Sequence, residues 1–96
     1  MRKSNEQTLK EVIDDLLEAY KLKAKFNQKK IIHSWEKIMG VTIARRTDAV
    51  FFKENKLIIK LNSSVLREEL SYSKNKIIEL INEDIGEEVV KEVVLI

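Results

Sequence analysis

The first apolar positions of the chain recur every three or four residues, at Leu9, Ile13, Leu16, Leu17 and Tyr20. This spacing places them on one side of an α-helix, with most of the acidic residues outside the stripe. The run Thr8-Leu9-Lys10-Glu11 fits a capping box, in which a threonine begins the helix and a glutamate three residues later reaches back. The pattern therefore predicts a first helix over residues 8–21.

A second apolar stripe at helical spacing consists of Ile31, Trp35 and Ile38. Asn27 is placed to cap this second helix, and Phe26 and Ile31 are placed to form a hydrophobic staple around the cap. Gly40, one of only 2 glycines in the chain, is expected to end the helix because glycine tolerates a left-handed backbone. Trp35 is predicted in the core, with stacking on a nucleic-acid base as the alternative.

The apolar period changes to two in residues 48–62, which predicts a β-hairpin with a short turn at residues 54–56. Ser63 and Ser64 offer a cap for a third helix, whose apolar stripe continues as far as Gly86. The apolar tail, residues 89–96, predicts a last strand. The order α-α-β-β-α-β indicates a small α+β sandwich, in which the helices pack on one face of a three-stranded, mainly antiparallel sheet.

Length and composition limit the class of protein. The chain has 96 residues, enough for one domain over residues 1–96, of which residues 1–7 are expected to form a flexible N-terminal segment. With no cysteine and one histidine, neither a disulfide nor a zinc site is expected. No stretch approaches the roughly 18 apolar residues of a membrane span, and the N-terminus lacks the pattern of a signal peptide. We expect a cytoplasmic protein without membrane contact, metal or cofactor.

The residues that catalysis commonly requires do not form a recognisable set. His33 is the only histidine, and nothing marks a serine or an aspartate as its partner, so a partly exposed helix residue is the simplest interpretation. Adjacent carboxylates such as Asp14 and Asp15 point away from each other on a helix and do not form a catalytic pair. No glycine-rich phosphate loop is present. The sequence therefore predicts a protein that is not an enzyme.

The charge is distributed unevenly along the chain. Residues 1–46 hold 11 Lys/Arg against 6 Asp/Glu, and residues 47–96 hold 7 against 10, so the two parts carry +5 and −3. Residues 21–30 contain five lysines and no acid, which predicts contact with the phosphates of single-stranded DNA, or of RNA, whose phosphates are the same. A solvated connector between two helices is the alternative. The candidate nucleic-acid-binding residues are Lys21, Lys23, Lys25, Lys29, Lys30, Arg45 and Arg46.

Both faces of the predicted sheet carry apolar side chains. Phe51 and Phe52 are adjacent, so they point to opposite faces, and Ile58 points away from Leu57 and Ile59. If helices cover only one face, the other exposes Ile58 and one phenylalanine as a surface for a partner or a homodimer. A protein-interaction module without nucleic-acid binding is therefore the alternative function.

The order of several residues resembles the DciA-like family. The matching residues are Trp35, Gly40, Ile43-Ala44, Lys56-Leu57, Ser63, Leu66, Glu69-Leu70, Asn82 and Gly86. The opening of the chain, as far as Tyr20, is similar to short forms from Bacteroidetes-type bacteria, and the resemblance covers nearly the whole chain. It implies a KH-like domain that associates with the bacterial replicative helicase in replication initiation and assists its loading on single-stranded DNA. Gly40-Val41-Thr42-Ile43 lacks the second glycine of the KH Gly-x-x-Gly loop.

Overall fold

The structure, a computed structural model, describes residues 8–96, which form five helices and a three-stranded sheet. The predicted flexible segment, residues 1–7, lies outside the described residues. In chain order the elements are α1 Leu9–His33, α2 Trp35–Met39, α3 Val41–Arg45, β1 Thr47–Lys53, β2 Lys56–Leu61, α4 Ser64–Ser71, α5 Lys74–Ile85 and β3 Glu92–Leu95. The predicted order of helical and strand regions, α-α-β-β-α-β, is confirmed, with the second and third helical regions each divided into two helices.

The first helix begins as predicted but is longer. The Thr8 side chain accepts a hydrogen bond from the Glu11 backbone N–H at 3.2 Å, which caps α1. The helix then continues through residues 21–30, because lysine, alanine, leucine and glutamine all favour helix and no glycine or proline interrupts them. Asn27 is therefore a buried residue of the helix interior, and its prediction as a cap is wrong. The break comes at Ser34 instead.

Trp35 joins three elements of the fold. Its side chain is 6% exposed, which confirms the predicted core position. The indole N–H donates to the Thr47 hydroxyl oxygen at 3.1 Å, and this hydroxyl donates to the Ile43 carbonyl at 2.7 Å. Between α2 and α3, Gly40 has φ 91° and ψ 162°, a backbone conformation that is essentially restricted to glycine. The glycine thus permits the bend that brings Ile43 towards β1.

The third helical region starts and stops where the sequence predicts but is interrupted between. The Ser63 side chain caps α4 by accepting from the Leu66 N–H at 3.2 Å, and Gly86, with φ 89°, ends α5. The interruption lies at Tyr72 and Ser73, whose N–H groups bond to carbonyls only three residues earlier. Serine hydroxyls at this point compete for backbone bonds, as the bond from Ser71 to the Glu68 carbonyl shows.

The sheet has the order β1-β2-β3, so β2 is its central strand. β1 and β2 are antiparallel, with Phe51 opposite Ile58, and β3 lies parallel to β2, with Val94 beside Ile58. The predicted antiparallel arrangement therefore holds for the hairpin alone. The crossover through α4 and α5 returns the chain to the starting edge, which makes β3 parallel.

The crossover from α5 to β3 is held by one side chain. The Asn82 amide oxygen accepts from the backbone N–H groups of Val89 and Val90, each at 2.9 Å, and its amide nitrogen donates to the Val90 carbonyl at 3.0 Å. These bonds bring Val90 into the core beneath the helices. The buried cluster consists of Ile31, Trp35, Leu57, Ile59, Leu61, Ile77, Ile81, Val90 and Val93.

Replacing Thr47 with valine tests the bond between Trp35 and β1. Valine keeps the shape but leaves the indole N–H without its acceptor, so Thr47→Val should lower the free energy of unfolding by about 1–3 kcal/mol. Urea unfolding followed by tryptophan fluorescence measures the loss. Thr42→Val, at an exposed position of α3, is the matched control and should unfold close to the original chain. Equal midpoints for the two variants would contradict the role given to the Thr47 hydroxyl.

Candidate nucleic-acid interface

The five lysines of residues 21–30, which we call the lysine segment, lie on α1 and not on a flexible connector. A helical residue advances about 1.5 Å and turns about 100°, so Lys21, Lys25 and Lys29 form one row with about 6 Å between neighbours. Lys23 and Lys30 lie on a second row further round the helix. Because the helix fixes these positions, the lysines form an ordered cationic surface. The alternative prediction, that these lysines lie on a solvated connector between two helices, is therefore wrong, because the segment is helical.

An exposed aromatic ring lies between the two rows. Phe26 is 67% exposed, so the predicted hydrophobic staple with Ile31 does not form. Residues three and four positions apart are neighbours on a helix surface, which places Lys23 before Phe26 and Lys29 and Lys30 after it. A ring within a group of ammonium groups is the combination that single-stranded nucleic-acid sites use, with phosphates held by charge and bases by stacking.

Two of the lysines have acidic partners. Lys21 lies 3.6 Å from Glu18, and Lys23 lies 3.3 Å from Glu87. Both pairs are exposed to solvent, where an ion pair contributes about 0–1 kcal/mol and exchanges readily for another anion. The remaining three lysines form no ion pair within residues 8–96. The lysine segment thus keeps most of its charge available.

The two predicted arginines lie elsewhere. Arg45 is the last residue of α3 and Arg46 follows it, immediately before β1. The lysine segment approaches the opposite end of that strand, since Gln28 donates to the Glu54 carbonyl in the hairpin turn at 3.4 Å. Seven residues of strand separate these ends by about 20 Å. The arginines are exposed but form a second basic position, separate from the lysines that approach the hairpin turn.

The alternative stacking residue, Trp35, is buried and bonded to Thr47, so its ring faces are not available to a base. His33 is exposed at the end of α1, as predicted. Within residues 8–96, no group of three or more histidine or carboxylate side chains is placed to hold a metal ion. None of the helices in this part of the chain is both long and apolar enough to cross a membrane.

The predicted partner surface on the sheet is smaller than expected. Phe51 is 43% exposed on the face away from the helices, whereas Phe52 points to the other face and packs against the core. Ile58 shares the outer face with Phe51 but is only 8% exposed, so its predicted exposure is wrong. Phe51 and Val94 are its neighbours on the adjoining strands, and cross-strand neighbours cover a central side chain.

Sequence reasoning missed Phe26 because it assigned the ring to a staple at a helix start. The signal was present in the spacing: the phenylalanine lies three residues after one lysine and three and four residues before two others. Those intervals bring side chains together only if the segment is helical. The absence of glycine and proline from residues 21–30 indicates that this segment is helical.

The chain matches the model of a known protein family. The family model described as Dna[CI] antecedent, DciA, matches the chain over residues 8–95. The match begins at the cap of α1 and ends at the last residue of β3, so it covers the whole described fold. No curated protein matches the chain significantly.

Replacing Ala24 with glycine tests whether the lysine segment is helical in solution. Ala24 is an exposed residue in the middle of this segment, and glycine in a helix interior costs about 1 kcal/mol relative to alanine. Ala24→Gly should lower the ellipticity at 222 nm and move the backbone chemical shifts of residues 21–30 towards coil values. Ala24→Leu, which keeps a good helix former, should leave both unchanged. Coil-like shifts in the unmodified chain would contradict the helical arrangement.

Proposed function

Because the chain belongs to the DciA family, which is related to the loading of the DnaB replicative helicase, we propose that it is a non-catalytic adaptor in the initiation of DNA replication. It binds single-stranded DNA through the lysine segment of α1 and helps to place the helicase on that strand. The observation that carries the DNA-binding part of the proposal is the exposed Phe26 between two rows of lysines.

The charge of the lysine segment explains affinity without sequence preference. Ammonium groups attract phosphates as point charges and do not require the paired geometry of a guanidinium group. The spacing of about 6 Å along one row allows neighbouring lysines to contact successive groups of an extended backbone. If all five lysines contact phosphates of single-stranded DNA, log K falls with log salt at a slope of about −3.5.

The aromatic ring supports a preference for single strands. A base must leave its stack before it can lie on a protein ring, and in a duplex that requires unpairing. Phe26 projects from the convex surface of a helix and carries no polar group, so it does not distinguish bases by hydrogen bonding. We therefore propose binding that prefers unpaired strands and accepts most sequences.

A fluorescence-anisotropy titration of labelled oligothymidine tests the proposal. We expect a micromolar or tighter dissociation constant that rises with salt at the slope above, and weaker competition by duplex DNA than by single strands. Matched RNA in the same competition distinguishes the RNA-binding alternative, because tighter binding of RNA would make RNA the ligand. Absence of binding at low salt would leave the protein-interaction alternative, for which the exposed Phe51 is the supporting observation.

Reversing the charge of two lysines tests the proposed site. Lys29→Glu/Lys30→Glu should weaken single-stranded DNA binding roughly tenfold or more and reduce the salt slope from about −3.5 to about −2, because two phosphate contacts are lost. Both side chains are exposed, so the free energy of unfolding should change little. Lys53→Glu/Lys60→Glu makes the same change in net charge on exposed positions of the sheet. Equal loss of affinity in the two double variants would show that overall charge, and not this site, governs binding.

Truncating Phe26 separates stacking from charge. Phe26→Ala should reduce affinity about fivefold or more, because base–aromatic stacking contributes about 1–3 kcal/mol per base, while the salt slope stays the same. Leu22→Ala is a matched control, since Leu22 lies one turn earlier and is equally exposed at 67%. The anisotropy titration measures both variants. Unchanged affinity of Phe26→Ala would remove the ring from the site.

The helicase part of the proposal needs its own experiment. Helicase from the same organism is mixed with single-stranded DNA, with and without the chain, and the DNA-bound helicase is quantified by sedimentation. We expect more bound helicase with the chain present and a smaller gain with Lys29→Glu/Lys30→Glu. Direct helicase binding by the double variant, measured without DNA, shows whether the helicase surface is separate. No gain with the original chain would contradict an adaptor role.

A further inference from the structure

The N-terminal half of α1, residues 9–20, exposes an apolar stripe that no part of the described fold covers. Every residue in this half is exposed, and the first buried residue of the helix is Asn27. The stripe continues the side of α1 that packs on the core at Ile31, but here nothing lies beneath it. Six side chains between 40% and 75% exposed form it: Leu9, Val12, Ile13, Leu16, Leu17 and Tyr20.

The projecting half gives the molecule an elongated shape. The principal extents are 62 × 20 × 20 Å and the radius of gyration is 17.7 Å, against about 12–13 Å for a compact domain of this length. A helix of about a dozen residues without tertiary contacts is only marginally stable in water. Single exposed apolar residues are ordinary, but a contiguous apolar stripe of this length indicates a contact surface.

The charges along α1 identify the occupant of this surface. Residues 9–20 hold one lysine and four acids, a net charge of −3, whereas the lysine segment that follows holds five lysines and no acid, a net charge of +5. A second copy of α1 in the antiparallel direction brings the acidic half of each helix beside the basic part of the other. A parallel copy would place like charges together, which is unfavourable.

We propose that two copies of the chain associate through an antiparallel pair of α1 helices, with the apolar stripes in contact. In an antiparallel helix pair the residue numbers of the two helices increase in opposite directions. In the proposed register Leu16 contacts Tyr20 of the second copy, and Ile13 contacts the aliphatic part of Lys23 of the second copy. The same register places Glu11 and Asp15 at the same level along the helix axis as Lys25 and Lys21 of the second copy. Shifting the register by one heptad towards the N-terminus would bring acidic residues together instead.

The shape of the fold accommodates this register. A cleft lies between α1 and the connection before β3, and Tyr20, Lys23, Ala24, Glu87 and Lys91 are among the residues that line it. In the proposed pair, the first turn of α1 from the second copy lies at this cleft. The contact is isologous, as a two-fold dimer requires, because each helix supplies both the acidic and the basic half.

The pairing uses one residue of the lysine segment, Lys23, and leaves the other four lysines and Phe26 outside the helix contact. Lys29 lies opposite the apolar stripe and Phe26 lies to one side of it, and Lys30 lies beyond the overlapping residues. The dimer therefore leaves these groups exposed at both ends of the helix pair. Self-association can consequently be tested without DNA, and its failure would not affect the DNA titration.

Sedimentation equilibrium between about 5 and 500 μM chain tests the association. We expect a mass that rises to twice that of one chain, and a monomer throughout the range for Leu16→Asp. Leu22→Asp introduces the same group on the opposite side of α1, where Leu22 is 67% exposed against 55% for Leu16, and should remain dimeric. Unfolding midpoints of both variants show that the domain is intact, since neither side chain contributes to the buried core. A monomer at every concentration, or equal disruption by both variants, would overturn the proposal.

Disulfide formation tests the direction of the helices. The chain contains no cysteine, so only the introduced cysteines can form a disulfide. Ile13→Cys and Lys23→Cys are prepared separately and oxidised alone and as a mixture. In the antiparallel pair the mixture forms a mixed disulfide dimer, whereas two copies of Ile13→Cys lie about 15 Å apart along the axis and stay unlinked. Efficient linkage of Ile13→Cys with itself would indicate parallel helices and contradict the register.

Discussion

The hydrogen bond from the Trp35 indole to the Thr47 hydroxyl, at 3.1 Å, determines how the helical layer meets the sheet. Thr47 begins β1, and its hydroxyl donates to the Ile43 carbonyl of α3, so one half-buried hydroxyl joins three elements. A buried indole N–H without an acceptor would be costly. The position of α1 depends on this arrangement, because its last turns pack beside Trp35 through Ile31.

A single continuous helix then carries two surfaces of different chemistry. One side of α1 presents lysines around Phe26, and the other presents the apolar stripe that includes Leu16. Helical geometry keeps Phe26 and Lys29 off the apolar stripe, whereas Lys23 lies at its edge. The two proposed contacts, with nucleic acid and with a second copy, therefore use largely different faces of the same helix. The family to which the chain belongs is related to helicase loading and not to catalysis.

Particular residues show why some elements were predictable and others were not. Thr8, Ser63 and Gly86 act locally, through a cap or a positive φ, and each lies where its local sequence indicates. The continuity of α1 does not follow from the apolar pattern, because a run of lysines without apolar periodicity also describes a solvated connector. The break at Tyr72 was missed because the apolar positions on either side keep a seven-residue interval that a continuous helix would also show.

The sequence by itself determined the order of elements, the core position of Trp35 and the family to which the chain belongs, because each depends on local spacing or on an ordered set of residues. Tertiary structure decided what distant segments cover. It buried Ile58 between neighbouring strands while Phe51 stayed exposed, and it left Phe26 in solvent. It also set β3 parallel to β2, because the path of the crossover, and not the composition of the strand, fixes direction. Exposure depends on contacts between residues far apart in the chain, which local periodicity does not encode.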